Sequence, residues 1–159
     1  MKFLSQPLIS IDEPRVVLVV EDEDMVRRTL TRVLNQAGYR TLEAHHGSEA
    51  LSMVALAYPY LHLVITDVLM PKLDGRALGQ RLRERYPALP VLYISAYPSD
   101  DLFHRGAPTS NAPYLQKPIE AGELLRVAQQ LMLSSGPNAS VLTYGAAPLD
   151  RHLPIDDPA

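Results

Sequence analysis

Apolar and polar positions along residues 16–133 switch between two rhythms, and the switches mark out the elements. Val16-Val17-Leu18-Val19-Val20 is a β-branched run too short for a helix and apolar on both faces, which predicts a buried parallel strand. It stops at Glu21-Asp22-Glu23-Asp24. From Asp24, the residues Met25, Leu30, Val33, Leu34 and Ala37 recur near helical spacing, and Gly38 is a natural C-terminal stop. Tyr39 to Ala44 reads as a second strand. Ser48 is placed to cap a helix through Leu56; Pro59 ends it, and Leu61 to Thr66 reads as a third strand followed at once by Asp67.

A loop through Pro71 and Gly75 leads to a helix over Arg76 to Arg85, after which Pro87 and Pro90 bracket the turn into a fourth strand, Val91 to Ser95. Pro98, Pro108 and Pro113 leave space only for a short helix near Asp100 to Arg105. Tyr114-Leu115-Gln116 is the fifth strand, and Leu124, Leu125, Ala128, Leu131 and Met132 mark a last helix from Ala121 to Leu133. Five strands alternating with five helices predict an α/β fold: a doubly wound parallel sheet covered on both sides. No solenoid-type repeat interrupts this order.

Composition sharpens the boundaries. Of 14 prolines, six (Pro7, Pro14, Pro137, Pro148, Pro154, Pro158) fall outside the alternating region, so 1–15 reads as an N-terminal arm, 16–133 as one domain and 134–159 as a flexible tail. Within the tail, Ser140 to Tyr144 has the pattern of an edge strand, and Ser140 to Leu149 is a segment able to fold back on the domain; disorder is the expectation for it. Apolar residues make up 47% and charged residues 21%, a globular balance that excludes a wholly disordered or collagenous chain. A net charge of -3 gives no electrostatic case for nucleic-acid or anionic-membrane binding. The absence of cysteine excludes disulfides, thiolate metal sites and cysteine nucleophiles. Pro7, Asp12 and Glu13 interrupt any signal-peptide run, and no uncharged apolar stretch is long enough for a spanning helix, so a soluble cytoplasmic protein is expected.

Ligands of open parallel sheets bind beyond the carboxyl ends of the strands, so the residues there carry the functional information. Glu21 and Asp22 follow strand one, Asp67 strand three, Ser95 strand four, and Lys117-Pro118 strand five. Three carboxylates held together repel one another and call for a cation; hard oxygen donors with room for water suit Mg2+. Asp22 and Asp24 could alternatively serve only as acids at a helix N-terminus, but that leaves Asp67 and Lys117 unexplained. A carboxylate such as Asp67, beside a metal and an ammonium, is equipped to accept a phosphoryl group as an aspartyl phosphate. Lys117 would balance charge on the phosphoryl oxygens, and Ser95 would donate a hydrogen bond to one of them.

Four stretches together resemble the receiver domains of two-component response regulators: Val19-Val20-Glu21-Asp22-Glu23, Asp67 to Gly75 with Met70-Pro71, Ile94-Ser95-Ala96, and Leu115-Gln116-Lys117-Pro118. The spacings between them are similar to the family's. The resemblance covers Val16 to Leu133 and implies a flavodoxin-like sheet of strand order 2-1-3-4-5. It implies that Asp67 takes phosphate from a histidine kinase or a histidine phosphotransfer protein. Glu21 through water, Asp22, Asp67 and the Leu69 backbone carbonyl would hold Mg2+, and the peptide bond between Lys117 and Pro118 would be cis. It further implies that Ser95 moves toward the phosphate while Tyr114 swings inward as a switch aromatic, although a plain sheet tyrosine with its hydroxyl at the rim fits the pattern nearly as well. A homodimer through strand five and the last helix is a further expectation.

Glu21 stands where Asp is commoner and Ser95 where Thr is commoner; neither departure removes the chemistry. Leu69 and Tyr97 occupy positions where many receivers carry polar groups that orient the hydrolytic water, which predicts a long-lived phosphoryl group. The wording around strands four and five is similar to receivers of hybrid sensor kinases, although no preceding kinase is expected here. The tail holds one basic residue, Arg151, so direct DNA binding is not expected. The reading is a stand-alone receiver or phosphorelay intermediate, a regulatory phosphoacceptor and not an enzyme. A phosphate-independent interaction module is the alternative that a missing site residue would have favoured. Aspartate-nucleophile phosphatases need a second acid where Leu69 stands, and dinucleotide enzymes a glycine-rich turn where Glu21-Asp22 stands. His45, His46, His62, His104 and His152 show no metal spacing and receive no role, with His45-His46 expected in a solvated loop. On the first helix most apolar residues should be core, with Met25 exposed; in the family this helix docks the phosphodonor.

Overall fold

The structure is a computed structural model, described here over residues 13–98 and 112–135. The order is β1 (Val16–Val20), α1 (Asp24–Gln36), β2 (Arg40–Ala44), α2 (Gly47–Ala57), β3 (Leu61–Asp67), α3 (Gly75–Arg85), β4 (Val91–Ser95), β5 (Tyr114–Gln116) and α4 (Ala121–Ser135). The strands form one parallel sheet in the order β2-β1-β3-β4-β5. The described residues contain four helices; the short helix expected near Asp100 to Arg105 lies outside them, as do most of the N-terminal arm and the tail segment Ser140 to Leu149.

Side chains alternate across a strand, and two cores follow from that period of two. Leu18, Val20, Val64 and Tyr93 face Ala50 and Val54 of α2 and Leu78 and Leu82 of α3. Val17, Val19, Ile65, Leu92 and Ile94 face Leu30 and Leu34 of α1 and Leu124, Ala128 and Met132 of α4. Each Leu, Ile or Val buried this way stabilises the fold by about 1.5–3 kcal/mol. No described helix is long and apolar enough to cross a membrane.

Local chemistry ends the elements. Gly38, at φ 94°, closes α1: its N–H donates to the Asn35 carbonyl and that of Tyr39 to the Leu34 carbonyl, a Schellman arrangement. This use of the Tyr39 amide is why β2 starts at Arg40 and not at Tyr39. The expected Ser48 cap is corrected: α2 starts at Gly47, and His46 Nδ1 accepts the Glu49 N–H at 3.2 Å. His46 is half-buried, so the pair His45-His46 is not merely a solvated loop. His62 is also used. The register between β1 and β3 slips at Val16, and His62 Nδ1 accepts the Val16 N–H at 3.0 Å. That bulge flips the strand, placing Leu61 in one core and Leu63 in the other.

Candidate functional site

Every residue expected at the strand ends is found there. Asp67 and Ser95 are the last residues of β3 and β4, Glu21 directly follows β1, and Lys117 directly follows β5. Ligand oxygens of Glu21, Asp22 and Asp67 all lie within 4.8 Å of one another. Lys117 Nζ stands 2.8 Å from Glu21 Oε2 and 3.1 Å from Asp67 Oδ2. Ser95 is buried, and its Oγ accepts the Tyr97 N–H at 3.2 Å. The peptide bond between Lys117 and Pro118 is cis, as expected.

The sheet fixes these positions. Asp67 pairs with Ile94 and Ser95 with Gln116, and the chain stays pinned past each strand end by Val68 N–H to the Ile94 carbonyl at 3.0 Å and Lys117 N–H to the Ser95 carbonyl at 2.7 Å. The loop after Asp67 folds back so that Gly75 donates its N–H to the Val68 carbonyl at 2.9 Å. Here a glycine is required: a Cβ on Gly75 would lie 1.9 Å from the Asp67 carbonyl oxygen. Asp74 then caps α3, its Oδ1 accepting the Ala77 N–H at 2.9 Å.

Electrostatically the site holds more negative charge than its own cation balances. Glu21 is 0% exposed. Burial pushes its carboxyl up to about 7, with the Lys117 ammonium opposing the rise and the Asp67 charge adding to it. Burial alone would depress the Lys117 ammonium, but its bond to Glu21 and the charges of Asp67 and Glu21 outweigh that and raise it. Among the described residues the buried Glu21 Oε2 meets only the Lys117 ammonium, which it shares with Asp67. A buried carboxylate oxygen whose one partner is a shared ammonium, beside two further acids, belongs to a donor set that fits a hard divalent cation.

Around the mouth, Leu69 and Tyr97 are 37% and 42% exposed. The Leu69 N–H donates to Asp67 Oδ1 at 3.3 Å. Tyr114 is half-buried against the core on the α2 and α3 side, and its hydroxyl donates to the Tyr97 carbonyl. A groove of about 520 Å³ runs beside the acids, lined by Met25, Val26, Thr29 and Leu30 of α1 and by Lys117, Pro118 and Ile119. Met25 is 77% exposed, as expected, while Leu30 belongs to the core. One residue escapes the sequence reading altogether. Arg27, a cation one turn into α1, is only 4% exposed and reaches back to the Glu21 carbonyl, with Nη1 2.8 Å away. The available signal was its placement three residues after Asp24, an i,i+3 ion-pair spacing.

Comparison with known proteins agrees with this geometry. Residues 17–129 match the response regulator receiver domain family. The chain is 36% identical over 121 residues to the response regulator MprA of Mycobacterium avium, covering 76% of this chain and 52% of that protein. It is 34% identical over 117 residues to the sensor kinase CckA of Brucella abortus, covering 73% of this chain but 12% of the kinase. The chain therefore spans about half or less of the length of these relatives. Among solved structures, the receiver domain of the hybrid histidine kinase CckA superposes with a TM-score of 0.63 at 34% identity, over 74% of this chain and 98% of that one. The Vibrio cholerae chemotaxis protein CheY4 superposes with a TM-score of 0.67 at 27% identity, over 75% and 99%. By sequence match and by fold, the chain belongs to the response regulator receiver domains of two-component signalling.

Proposed function

We propose that this protein is a phosphoacceptor: Asp67 takes a phosphoryl group from a phosphorylated histidine of a kinase or phosphotransfer protein, and the change is signalled by altered protein contacts. The observation that carries the reading is the Asp67 carboxylate at the end of β3, 3.1 Å from an ammonium and within 4.8 Å of two further acids. Glu21, Asp22 and Asp67, with the Leu69 backbone carbonyl, are the residues that would hold Mg2+. The ion, when bound, supplies neutralisation of charge on the phosphoryl oxygens.

One Asp67 oxygen attacks phosphorus as the bond from phosphorus to the donor imidazole nitrogen breaks; the electron pair of that bond stays on the nitrogen. Lys117 exchanges part of its attraction to Asp67 for the incoming phosphoryl oxygens. The Ser95 hydroxyl, whose one hydrogen bond among the described residues is accepted from the Tyr97 N–H, retains its proton to donate to a phosphoryl oxygen. Because the Tyr97 N–H donates to Ser95 Oγ and the Tyr97 carbonyl accepts from the Tyr114 hydroxyl, a shift of Ser95 would be passed through the Tyr97 backbone to the ring that would act as the switch. The groove beside α1, with exposed Met25 next to Lys117, is positioned for the donor's helices. Residues 16–133 are the functional unit on this reading, and β5 with α4 is the face for a homodimer.

Intact mass after incubation with acetyl phosphate and Mg2+ tests the reading. A phosphoryl adduct that needs Mg2+ and disappears in Asp67→Asn is the expected result. If neither acetyl phosphate nor a histidine-phosphorylated donor gives an adduct on folded protein, the reading is refuted and an interaction module independent of phosphate takes its place.

A further inference from the structure

The turn from β1 into α1 carries two of the three acids, but only one is held by its own side chain. Glu21 Oε1 accepts the Glu23 N–H at 3.1 Å, and its other oxygen meets Lys117. The exposed Asp22 carboxylate has no hydrogen bond or ion pair among the described residues, so its place is set by its backbone. That backbone begins with the planar peptide joining Glu21 to Asp22: orienting the Glu21 carbonyl orients the Asp22 amide and places the Asp22 Cα. On the other side, the Glu21 N–H is tied to the Ala44 carbonyl of β2 at 3.1 Å. The Glu21 carbonyl is buried, and Arg27 Nη1 is the donor that satisfies it.

Arg27 is itself held from three directions. Nη2 donates to Asp24 Oδ1 at 2.5 Å and Nε to Glu43 Oε2 at 3.0 Å, while the Arg27 N–H donates to the Glu23 carbonyl at 2.9 Å. Glu43 projects from β2 and Asp24 from the first turn of α1. The guanidinium fork thus ties α1, the acid-bearing turn and β2 into one piece.

We infer that Arg27 is a positioning residue for divalent-cation binding, acting through the Glu21 carbonyl to place the Asp22 carboxylate. The inference rests on the phosphoacceptor reading of the site. A planar fork with several fixed donors can serve three acceptors lying in different directions; the lysine ammonium, a point charge on a flexible stem, does not reproduce that geometry. Positional and purely electrostatic roles give opposite signs. Removing a positive charge near three acids would by itself tighten cation binding, whereas releasing the turn weakens it.

The test is calorimetric titration of Mg2+ into the unphosphorylated full chain at physiological ionic strength, with Arg27→Gln and Arg27→Lys beside wild type. Loss of an outer support of a metal site lowers affinity by about tenfold or more, and both variants should show it, although Lys keeps the charge. In acetyl phosphate labelling, the Mg2+ concentration giving half the maximal rate should rise to match, while the rate at saturating Mg2+ stays within about twofold of wild type. A merely structural role would lower the unfolding midpoint without moving either Mg2+ measure. Should Arg27→Gln fail to fold, Arg27→Lys decides. Wild-type or tighter Mg2+ affinity in the folded variants overturns the inference alone. Failure of wild type to bind Mg2+ overturns it together with the metal reading on which it rests.

Discussion

Replacing Glu21 by glutamine should stabilise the metal-free protein at alkaline pH, although Glu21 belongs to the site. In the folded state the Glu21 carboxyl ionises only near about 7, against 4.5 for an ordinary glutamate, because burial disfavours its charge. Between those two values the folded chain holds a proton that the unfolded chain has released, so stability falls as pH rises, by about 1.4 kcal/mol per pH unit. Taken from pH 5 to pH 8, with the interval closing at about 7, the loss amounts to about 2–3 kcal/mol. Glutamine has the same shape and no charge, and Lys117 keeps Asp67 at 3.1 Å as a partner. Urea unfolding of both proteins in chelator, followed by far-ultraviolet circular dichroism across this range, gives the difference directly and cancels every other titration. The stability of Glu21→Gln relative to wild type should climb by that amount between pH 5 and pH 8. Mg2+ at pH 8 should then narrow the gap, since it binds the folded wild type. Parallel curves for the two proteins would refute the assignment of an unfavourable buried charge to Glu21.

Three further outcomes follow from the same geometry. Gly75→Ala puts a methyl group 1.9 Å from the Asp67 carbonyl oxygen; it should cost about 2 kcal/mol or more in urea unfolding and reduce labelling of Asp67 by acetyl phosphate. Burial, with the nearby Arg15 charge, depresses His62 below its ordinary 6.5. The neutral ring that accepts the Val16 N–H therefore contributes stability above pH 6.5 that is lost as pH falls through the depressed value. The advantage of wild type over His62→Phe should shrink on acidification, and a pH-independent difference would exclude the role. Leu69 sits at the mouth and offers water no hydrogen bond, so the phosphoryl group should be long-lived; Leu69→Asn should shorten its half-life by about tenfold, measured by decay of the adduct mass.

Much of this arrangement is legible along the chain because the strands announce themselves. Val16 to Val20 has no reading other than a buried strand, and each strand end falls next to a residue whose chemistry is out of place in a core. What stays hidden depends on contacts across the fold. Ser48 looks the better cap, but the cap is His46, two residues earlier, and a Cβ on Gly47, the first helical residue, would stand 2.5 Å from the Leu73 carbonyl oxygen. Leu61-His62-Leu63 reads as plain alternation, and nothing local betrays the bulge that turns Leu61 and Leu63 to opposite faces. Arg27 is passed over along the chain, because its acceptors include a carbonyl six residues back and a carboxylate on β2.

Placing the acids on strand ends rather than in free loops sets a definite balance. Asp67 and Ser95 inherit the register of β3, β4 and β5, so their spacing is held by ladder hydrogen bonds and by the apolar side chains of both cores. The same burial that gives precision strips water from Glu21 and makes its charge unfavourable until a cation arrives. Precision and instability at this site therefore have one cause. Loosening β4 by truncating Leu92 or Ile94 would relieve the charge only by spoiling the spacing, whereas neutralising Glu21 relieves it with the spacing intact. Stability and cation binding should thus part company in Glu21→Gln and fail together in the core variants.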